Sequence, residues 1–352
     1  MKIMCVIGAY SFGGAERVMT TLANRFSQDN KVVFVAMQHR DAPAYEIASS
    51  VKTINGLNYK NELQAILKLR KIIRREKPDV IIAFLTQINI TTILASRFLG
   101  IPVIISERND PTKRITNVRK KLRAWLYPKA SGVVFQTEDA QAYYSKKIQR
   151  KSTIIPNPVF IDEANVAYIS AKRRKEIVAA GRLSYQKNYP MLIEAFAGLA
   201  DDLPDYKLLI YGEGEDREKL EKLIADKDLS ERITLMGAVS DLHERIKDSS
   251  LYVMTSRFEG MPNALMEAMA LGLFCISTDC PVGGPRSLIR DGENGFLVGV
   301  SDTAELERKM RLALSDKEQA EYVASQAKYI LNVYNVDAIC ARWEKYINQV
   351  IK

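Results

Sequence analysis

The chain has 352 residues, with 51 Lys and Arg against 42 Asp and Glu, 47% hydrophobic and 26% charged. That length exceeds one ordinary hydrophobic core and predicts two domains in a soluble globular protein. No apolar run approaches the ~18–20 residues of a membrane span, and the apolar start Ile3-Met4-Cys5-Val6-Ile7 is too short for a signal peptide.

The charge is uneven. Residues 1–170 carry 26 Lys and Arg against 13 Asp and Glu, a net of +13, and the remainder is −4. A basic half suggests that one domain faces something anionic. Cys5, Cys275, Cys280 and Cys340 show no metal or redox spacing. They read as reduced thiols of a cytosolic protein, without a disulfide or a metal site.

The first half alternates strand and helix. Strands are expected over 3–7, 31–37, 51–54, 80–84, 103–106 and 132–136. Helices are expected just after Gly13-Gly14, running to about Phe26, and over 61–76, 91–99 and 139–147. This alternation predicts a parallel doubly wound α/β sheet, which binds ligands beyond the C-terminal ends of its strands. Gly13-Gly14 and Glu107-Arg108 lie at such ends. The glycines stand just before a helix N-terminus and read equally as a ligand loop or a plain turn. Arg108 reads either as an anion ligand or as one member of an Arg–Glu surface pair. Residues 113–129 interleave Lys113, Arg114, Arg119, Lys120, Lys121, Arg123 and Lys129 with Ile115, Val118, Leu122, Trp125, Leu126 and Tyr127. Such a segment suits an anionic membrane surface or a solvated helix face. No nucleic-acid motif accompanies it. Pro156 and Pro158 stiffen the exit, and the polar stretch 164–175 is the expected hinge.

The second half restarts the pattern, with strands over 176–181, 206–211, 233–236, 251–255 and 274–278 and, later, a helix over 318–334. Arg182 and Lys187 follow Gly181 in one loop, where a forked cation and a point cation can straddle a diphosphate or merely face water. Gly212 and Gly214 end the next strand and allow a nucleobase or ribose to lie close, or only make the turn. Then comes Arg257-Phe258-Glu259-Gly260-Met261-Pro262-Asn263-Ala264-Leu265-Met266-Glu267-Ala268-Met269-Ala270-Leu271-Gly272. Gly260 loosens a turn, Pro262 suits the first helical position, and Gly272 stops a helix over 264–271. That helix is apolar almost all round and should be buried, yet it carries Glu267, with Glu259 eight residues earlier. The amides of Asn263, Ala264 and Leu265 at its positive end suit a phosphate. The plainer alternative is a buried capping helix whose Glu267 is paired internally.

The run from Phe258 to Ala270, with its Glu-x7-Glu, resembles the signature of the family 4 glycosyltransferases. Gly13-Gly14-Ala15-Glu16-Arg17 resembles that family's first loop, and Gly181-Arg182-Leu183 with Lys187-Asn188 resembles its Gly-Arg-Leu-x-x-x-Lys-Asn motif. The resemblance implies a GT-B architecture of two Rossmann-like domains facing across a cleft. An acceptor domain would span 1–168, with the C-terminal helix at about 336–352 returning to it, and a donor domain would span 175–335. It implies a retaining, metal-independent transferase of a hexose or N-acetylhexosamine. The donor would be a nucleotide sugar, UDP-linked rather than GDP-linked, and no further cofactor would be required. Arg182 and Lys187 would neutralise the leaving diphosphate. Glu267 would hold the ribose hydroxyls, and Glu259 the sugar ring or its developing positive charge. Gly13, Gly14, Gly181, Gly212, Gly214, Gly260, Met261, Asn263, Ala264 and Leu265 would line the donor. Many relatives carry His where Arg108 stands, close to the transferred sugar; Arg108 would meet an acceptor phosphate or the donor.

The acceptor expected from the basic half is a glycan on a polyprenyl diphosphate, met at the cytoplasmic face of the inner membrane. Two other readings compete. One is a sugar-nucleotide epimerase or hydrolase on the same fold. The other is a non-enzymatic protein binding an anionic surface or nucleic acid. The donor reading fails if a crystal soaked with UDP or GDP shows the nucleotide elsewhere, or shows Glu259 and Glu267 buried and tied to the protein's own groups.

Overall fold

The computed structural model describes residues 1–11, 13–41, 43–108, 110–112, 116–161 and 173–352. Lys113, Arg114 and Ile115 of the basic segment, and most of the hinge stretch, fall outside them. The chain forms two compact units, Met1–Pro158 with Val336–Lys352, and Val159–Asn335.

Unit 1 holds a seven-stranded sheet. Its strands are β1 (Lys2–Ala9), β2 (Lys31–Gln38), β3 (Lys52–Asn55), β4 (Val80–Phe84), β5 (Val103–Ser106), β6 (Gly132–Phe135) and β7 (Ser152–Ile154), in the order β3-β2-β1-β4-β5-β6-β7. Every pairing is parallel. β1, β2 and β4 are near-continuous apolar runs buried along most of their length, as strands covered on both faces must be. The strand order reverses between β1 and β4, which puts a switch point beside the loops after Ala9 and Phe84.

Unit 2 holds six parallel strands: β8 (Arg174–Ala180), β9 (Lys207–Tyr211), β10 (Ile233–Gly237), β11 (Ser249–Met254), β12 (Phe274–Thr278) and β13 (Phe296–Val298). Their order is β10-β9-β8-β11-β12-β13, so the switch point lies between β8 and β11. The helix Tyr189–Ala197 packs Leu192, Ile193 and Phe196 into a core shared with Leu208, Ile210 and Ile276.

Three expected helices are placed differently. The one expected over 91–99 is Thr86–Ser96. Thr86, Gln87 and Asn89 look like loop residues, but Asn89 is fully buried and donates to Ser106 O and Tyr127 Oη. Tertiary bonding overrides the local preference. The helix expected over 139–147 breaks into Glu138–Ala142 and Lys146–Gln149. Buried Tyr144 occupies the break, stacked on Tyr127 with ring centroids 5.8 Å apart. The helix expected over 318–334 is likewise two, Lys317–Ala327 and Ile330–Val333.

One polar cluster ties strands to a helix in unit 1. The helix Glu62–Glu76, capped by the Asn61 side chain, ends in buried Glu76. Glu76 accepts from Lys52 Nζ at 2.9 Å, Lys2 Nζ at 3.1 Å and Arg75 Nε at 2.9 Å. Lys52 first, then Lys2 and Arg75, hold its carboxyl at about 2, below the ordinary 4.5. A depressed carboxyl adds stability above the unfolded value and loses it as pH falls toward the folded one. Wild-type stability should therefore fall through the window from 4.5 to about 2. Glu76→Gln should be less stable at neutral pH and show a shallower acid slope. Urea midpoints across that window check it; parallel slopes for the two proteins would count against the assignment.

Candidate active site

Four loops at the C-terminal ends of β8, β9, β11 and β12 are laced together in unit 2. Leu183 N–H donates to Glu213 O at 3.0 Å, and Arg257 N–H to Gln186 O at 2.8 Å. Gln186 Nε2 donates to Phe258 O at 3.0 Å, Thr255 Oγ1 to Lys187 O at 2.9 Å and Thr278 Oγ1 to Ser256 O at 2.6 Å. Glycines permit this closeness. Gly212 sits at φ +140, and a Cβ there would lie 2.0 Å from Gly181 O. Gly214 passes Leu183 O in the same way. Gly284 is the tightest: its Cβ would be 1.8 Å from Gly260 O.

The lacing brings Lys187 and Glu259 together. Lys187 Nζ lies 2.8 Å from Glu259 Oε1, and Ser256 Oγ donates to the same oxygen at 2.9 Å. Both side chains are mostly buried. Lys187 also passes close over Gly181. Arg182 is exposed, with no carboxylate in ion-pair range among the described residues. Two cations, one held and one free, thus face the switch point of unit 2.

The signature helix runs Asn263–Ala270, one residue out of step with the sequence reading at each end. Pro262 is its N-cap rather than its first residue, and no side chain caps that end. The first turn bond is Met266 N–H to Pro262 O at 3.1 Å, so the amides of Asn263, Ala264 and Leu265 lie ahead of the intrahelical ladder. Met261 is buried beside them. At the other end Gly272 (φ +70) donates to Met269 O, and Leu273 to Ala268 O, a Schellman stop. Glu267 is buried, and His243 Nε2 lies 3.2 Å from its Oε2. Internal pairing of Glu267, the plainer alternative, is therefore present. Glu259 is also bonded within the protein, but to a cation that the sequence assigns to the same ligand.

Unit 1 departs further from expectation. Glu107 and Arg108 are both buried and point to different partners, so no Arg–Glu surface pair exists. Glu107 accepts from Thr86 Oγ1 at 2.8 Å, Tyr127 Oη at 2.8 Å and Tyr144 Oη at 3.2 Å. Burial raises its carboxyl pKa against those bonds. The Arg108 guanidinium lies 4.0 Å over the Phe84 ring and gives one bond, Nη1 to Asn157 Oδ1. Among the described residues its Nε and Nη2 have no partner, and burial pulls its pKa down to about 9. Gly13 is the N-cap and Gly14 the first residue of the helix Gly14–Phe26. The Glu16 carboxylate folds back over Gly13, leaving no room there for a Cβ.

Comparison with known proteins places this architecture. The description "Glycosyltransferase Family 4" matches residues 12–163, and "Glycosyl transferases group 1" matches residues 161–329. The chain belongs to the family 4 glycosyltransferases, of GT-B fold. The enzyme is 28% identical to the Campylobacter jejuni GalNAc-alpha-(1->4)-GalNAc-alpha-(1->3)-diNAcBac-PP-undecaprenol alpha-1,4-N-acetyl-D-galactosaminyltransferase, with 99% of each chain covered. It is 25% identical to the Escherichia coli UDP-Gal:alpha-D-GlcNAc-diphosphoundecaprenol alpha-1,3-galactosyltransferase, over 68% of this chain and 67% of that one. Among solved structures, Anabaena HepE in complex with UDP matches with a TM-score of 0.82 at 17% identity, covering 99% of this chain and 100% of that one. That last likeness is one of fold.

Sequence reasoning missed two residues that the structure brings to this candidate site. His243 stands in the separate short helix Leu242–Ile246, and no spacing in the chain links it to Glu267. Gly284 lies in a Gly-Gly-Pro turn that reads as a loop, with nothing to show how closely it passes Gly260. Gly284→Ala should displace the loop bearing Glu259 and lower kcat/KM on the order of 100-fold. Its far-UV circular dichroism should stay close to wild type. Activity within threefold of wild type would remove Gly284 from the site.

Proposed function

We propose that the enzyme transfers a hexose or N-acetylhexosamine from a UDP-sugar to a glycan carried on a polyprenyl diphosphate, with retention at the anomeric carbon. The observation that carries this reading is the Lys187–Glu259 pair at the switch point of unit 2. The lipid-diphosphate substrates in the names of the Campylobacter and Escherichia relatives support the acceptor. The HepE complexes with UDP, with UDP and glucose, and with UDP-glucose support the donor.

The roles follow from charge and position. Lys187 leaves Glu259 for the donor diphosphate, and Arg182 closes on it from the exposed side. The amides of Asn263, Ala264 and Leu265 meet its phosphate oxygens. Together they stabilise charge on the departing UDP as the sugar C1–O bond breaks, the electrostatic work a metal ion does elsewhere. Glu259, released from Lys187, turns to the sugar and its developing positive charge. Glu267 takes the ribose hydroxyls, since a carboxylate accommodates several donors. His243 orients it. Gly181, Gly212 and Gly214 admit the nucleoside, and Gly260 and Met261 shape the sugar side. In unit 1, Gly13 and Gly14 border the substrate once Glu16 swings away, and Arg108 receives a phosphate of the acceptor.

Two measurements test these roles. In calorimetric titrations, Lys187→Met should weaken UDP binding about 10–100-fold, the loss of a charge-assisted contact. Glu259→Gln should bind UDP at least as tightly as wild type, because a competing carboxylate is gone, while transfer falls by on the order of 100-fold or more. Unchanged UDP affinity in Lys187→Met would sink the donor assignment. Free sugar released from donor alone at the transfer rate would favour a hydrolase, and an inverted product anomer in proton NMR would end the retention claim.

Arg108 gives a separate prediction. Removing a buried, half-satisfied cation relieves a desolvation penalty. Arg108→Gln should melt no lower than wild type while raising KM for the lipid-linked acceptor severalfold. A drop in melting temperature with KM unchanged would make Arg108 structural.

A further inference from the structure

Unit 1 displays aromatic side chains where a water-facing surface would not. Phe98 is 90% exposed. It sits at φ +60, a left-handed backbone that bulky residues rarely adopt. Arg70 Nη1 secures the turn by donating to Ala95 O and Arg97 O at 2.9 and 2.7 Å. The Arg97 guanidinium lies 4.8 Å over the Phe98 ring.

The basic helix Asn117–Leu126 continues the surface. Arg123 and Leu126 are its buried side, while Val118 and Trp125 are 74% and 59% exposed. Val118, Lys121 and Trp125 follow i, i+3, i+7 spacing and share one stripe. The outward face of this helix is thus apolar as well as basic, unlike a plain solvated face. Lys129 Nζ lies 3.0 Å over the Trp125 ring. Lys129 and Phe98 line the same hollow of about 330 Å³, together with Arg97, Gly100 and Ile101. Partial desolvation, then the Arg97 charge, lowers the Lys129 pKa. Among the described residues no acid pairs with Arg97, Lys121 or Lys129, whereas Arg119 on the same helix is paired with Glu62.

We propose that Phe98, Val118 and Trp125, ringed by Arg97, Lys121 and Lys129, form a docking patch for an anionic lipid bilayer. Aromatic rings settle at the headgroup level, and the cations reach the lipid phosphates beside them. Positive charge without acidic partners fits a lipid surface, which is uniformly anionic. The patch gives the proposed lipid-borne acceptor a place to be met. Its purpose rests on that reading, but docking can be measured without any transfer.

The chain reports its own docking. It has two tryptophans, and Trp343 is fully buried, so vesicle-induced changes in tryptophan emission come from Trp125. With vesicles of phosphatidylcholine and one quarter phosphatidylglycerol, at low salt, emission should shift to the blue and be quenched by brominated lipid. Neither change should appear with phosphatidylcholine alone, or in Trp125→Phe. Phe98→Gly suits the left-handed backbone and should melt at or above the wild-type temperature, while vesicle pelleting weakens about tenfold. Its transfer to a water-soluble acceptor should match wild type. Arg97→Gln with Lys129→Gln should remove the salt-sensitive part of binding. Three results would overturn the proposal. They are equal pelleting of wild type and Phe98→Gly, binding indifferent to phosphatidylglycerol, and a concentration-dependent blue shift without lipid, which would assign the patch to self-association. Vesicle binding that persists while no sugar is transferred would leave the patch standing and fault the enzymatic reading instead.

Discussion

A lysine and a glutamate, 2.8 Å apart and mostly out of water, hold unit 2 in its working arrangement. Burying two opposite charges is poor value for stability alone, because desolvation offsets most of their attraction. Removing one partner is different and costs about 3–5 kcal/mol, since the other charge is left without a mate. The pair therefore fixes geometry more than it adds stability. Lys187 belongs to the loop after β8 and Glu259 to the loop after β11, the two strands that flank the reversal in strand order. The side-chain bonds from Gln186 and Thr255 to backbone carbonyls, with Arg257 N–H to Gln186 O, reinforce the same junction. On the proposed roles, an arriving diphosphate meets a cation already in place and displaces the carboxylate paired with it.

Unit 1 handles charge in the opposite way. Glu107 is surrounded by three hydroxyls, and Arg108 is left with two nitrogens that bond nothing. Adjacent residues of opposite charge would be expected to neutralise each other. Both lie in the loop just past the end of β5, and each is bonded to different partners, Glu107 to hydroxyls and Arg108 to Asn157. The Arg108 guanidinium is stacked instead on Phe84 and near Trp343, rings that hold it flat without cancelling its charge. Such a group destabilises the unliganded protein, and it persists most readily where function uses the unmet charge.

Much of this was legible in the chain. Most strands of both sheets followed from apolar runs bounded by turn residues, because buried parallel strands must be continuously apolar, whereas the three-residue edge strand β7 did not. The loop cations and the paired acids were legible because their spacing is local. What escaped was anything set by tertiary contact. Thr86 to Asn89 looked like a loop because their polar partners, Ser106 and Tyr127, are distant in sequence. His243 was invisible as a partner of Glu267, since a separate helix delivers it. Gly284 was just one glycine among 18 until its approach to Gly260 was seen. Phe98 gave no sign that its ring would stand in water.

The internal pairing of both acids bears on what the unliganded site is for. An acid left bare at the bottom of a nucleotide site would repel the diphosphate it is meant to serve. Lys187 cancels Glu259 until a stronger anion competes for it, and the exchange is nearly balanced because one charge-assisted contact replaces another. His243 differs in kind. It reaches Glu267 from a separate short helix, at 3.2 Å, and on the proposed roles it keeps that carboxylate oriented. The two carboxylates are thus guarded by partners of different strength. On the proposed roles, Glu259 is freed by the donor itself and Glu267 can keep its partner throughout. On this account, donor binding and the release of Glu259 are a single event, and Glu259 stays neutralised whenever the site is empty.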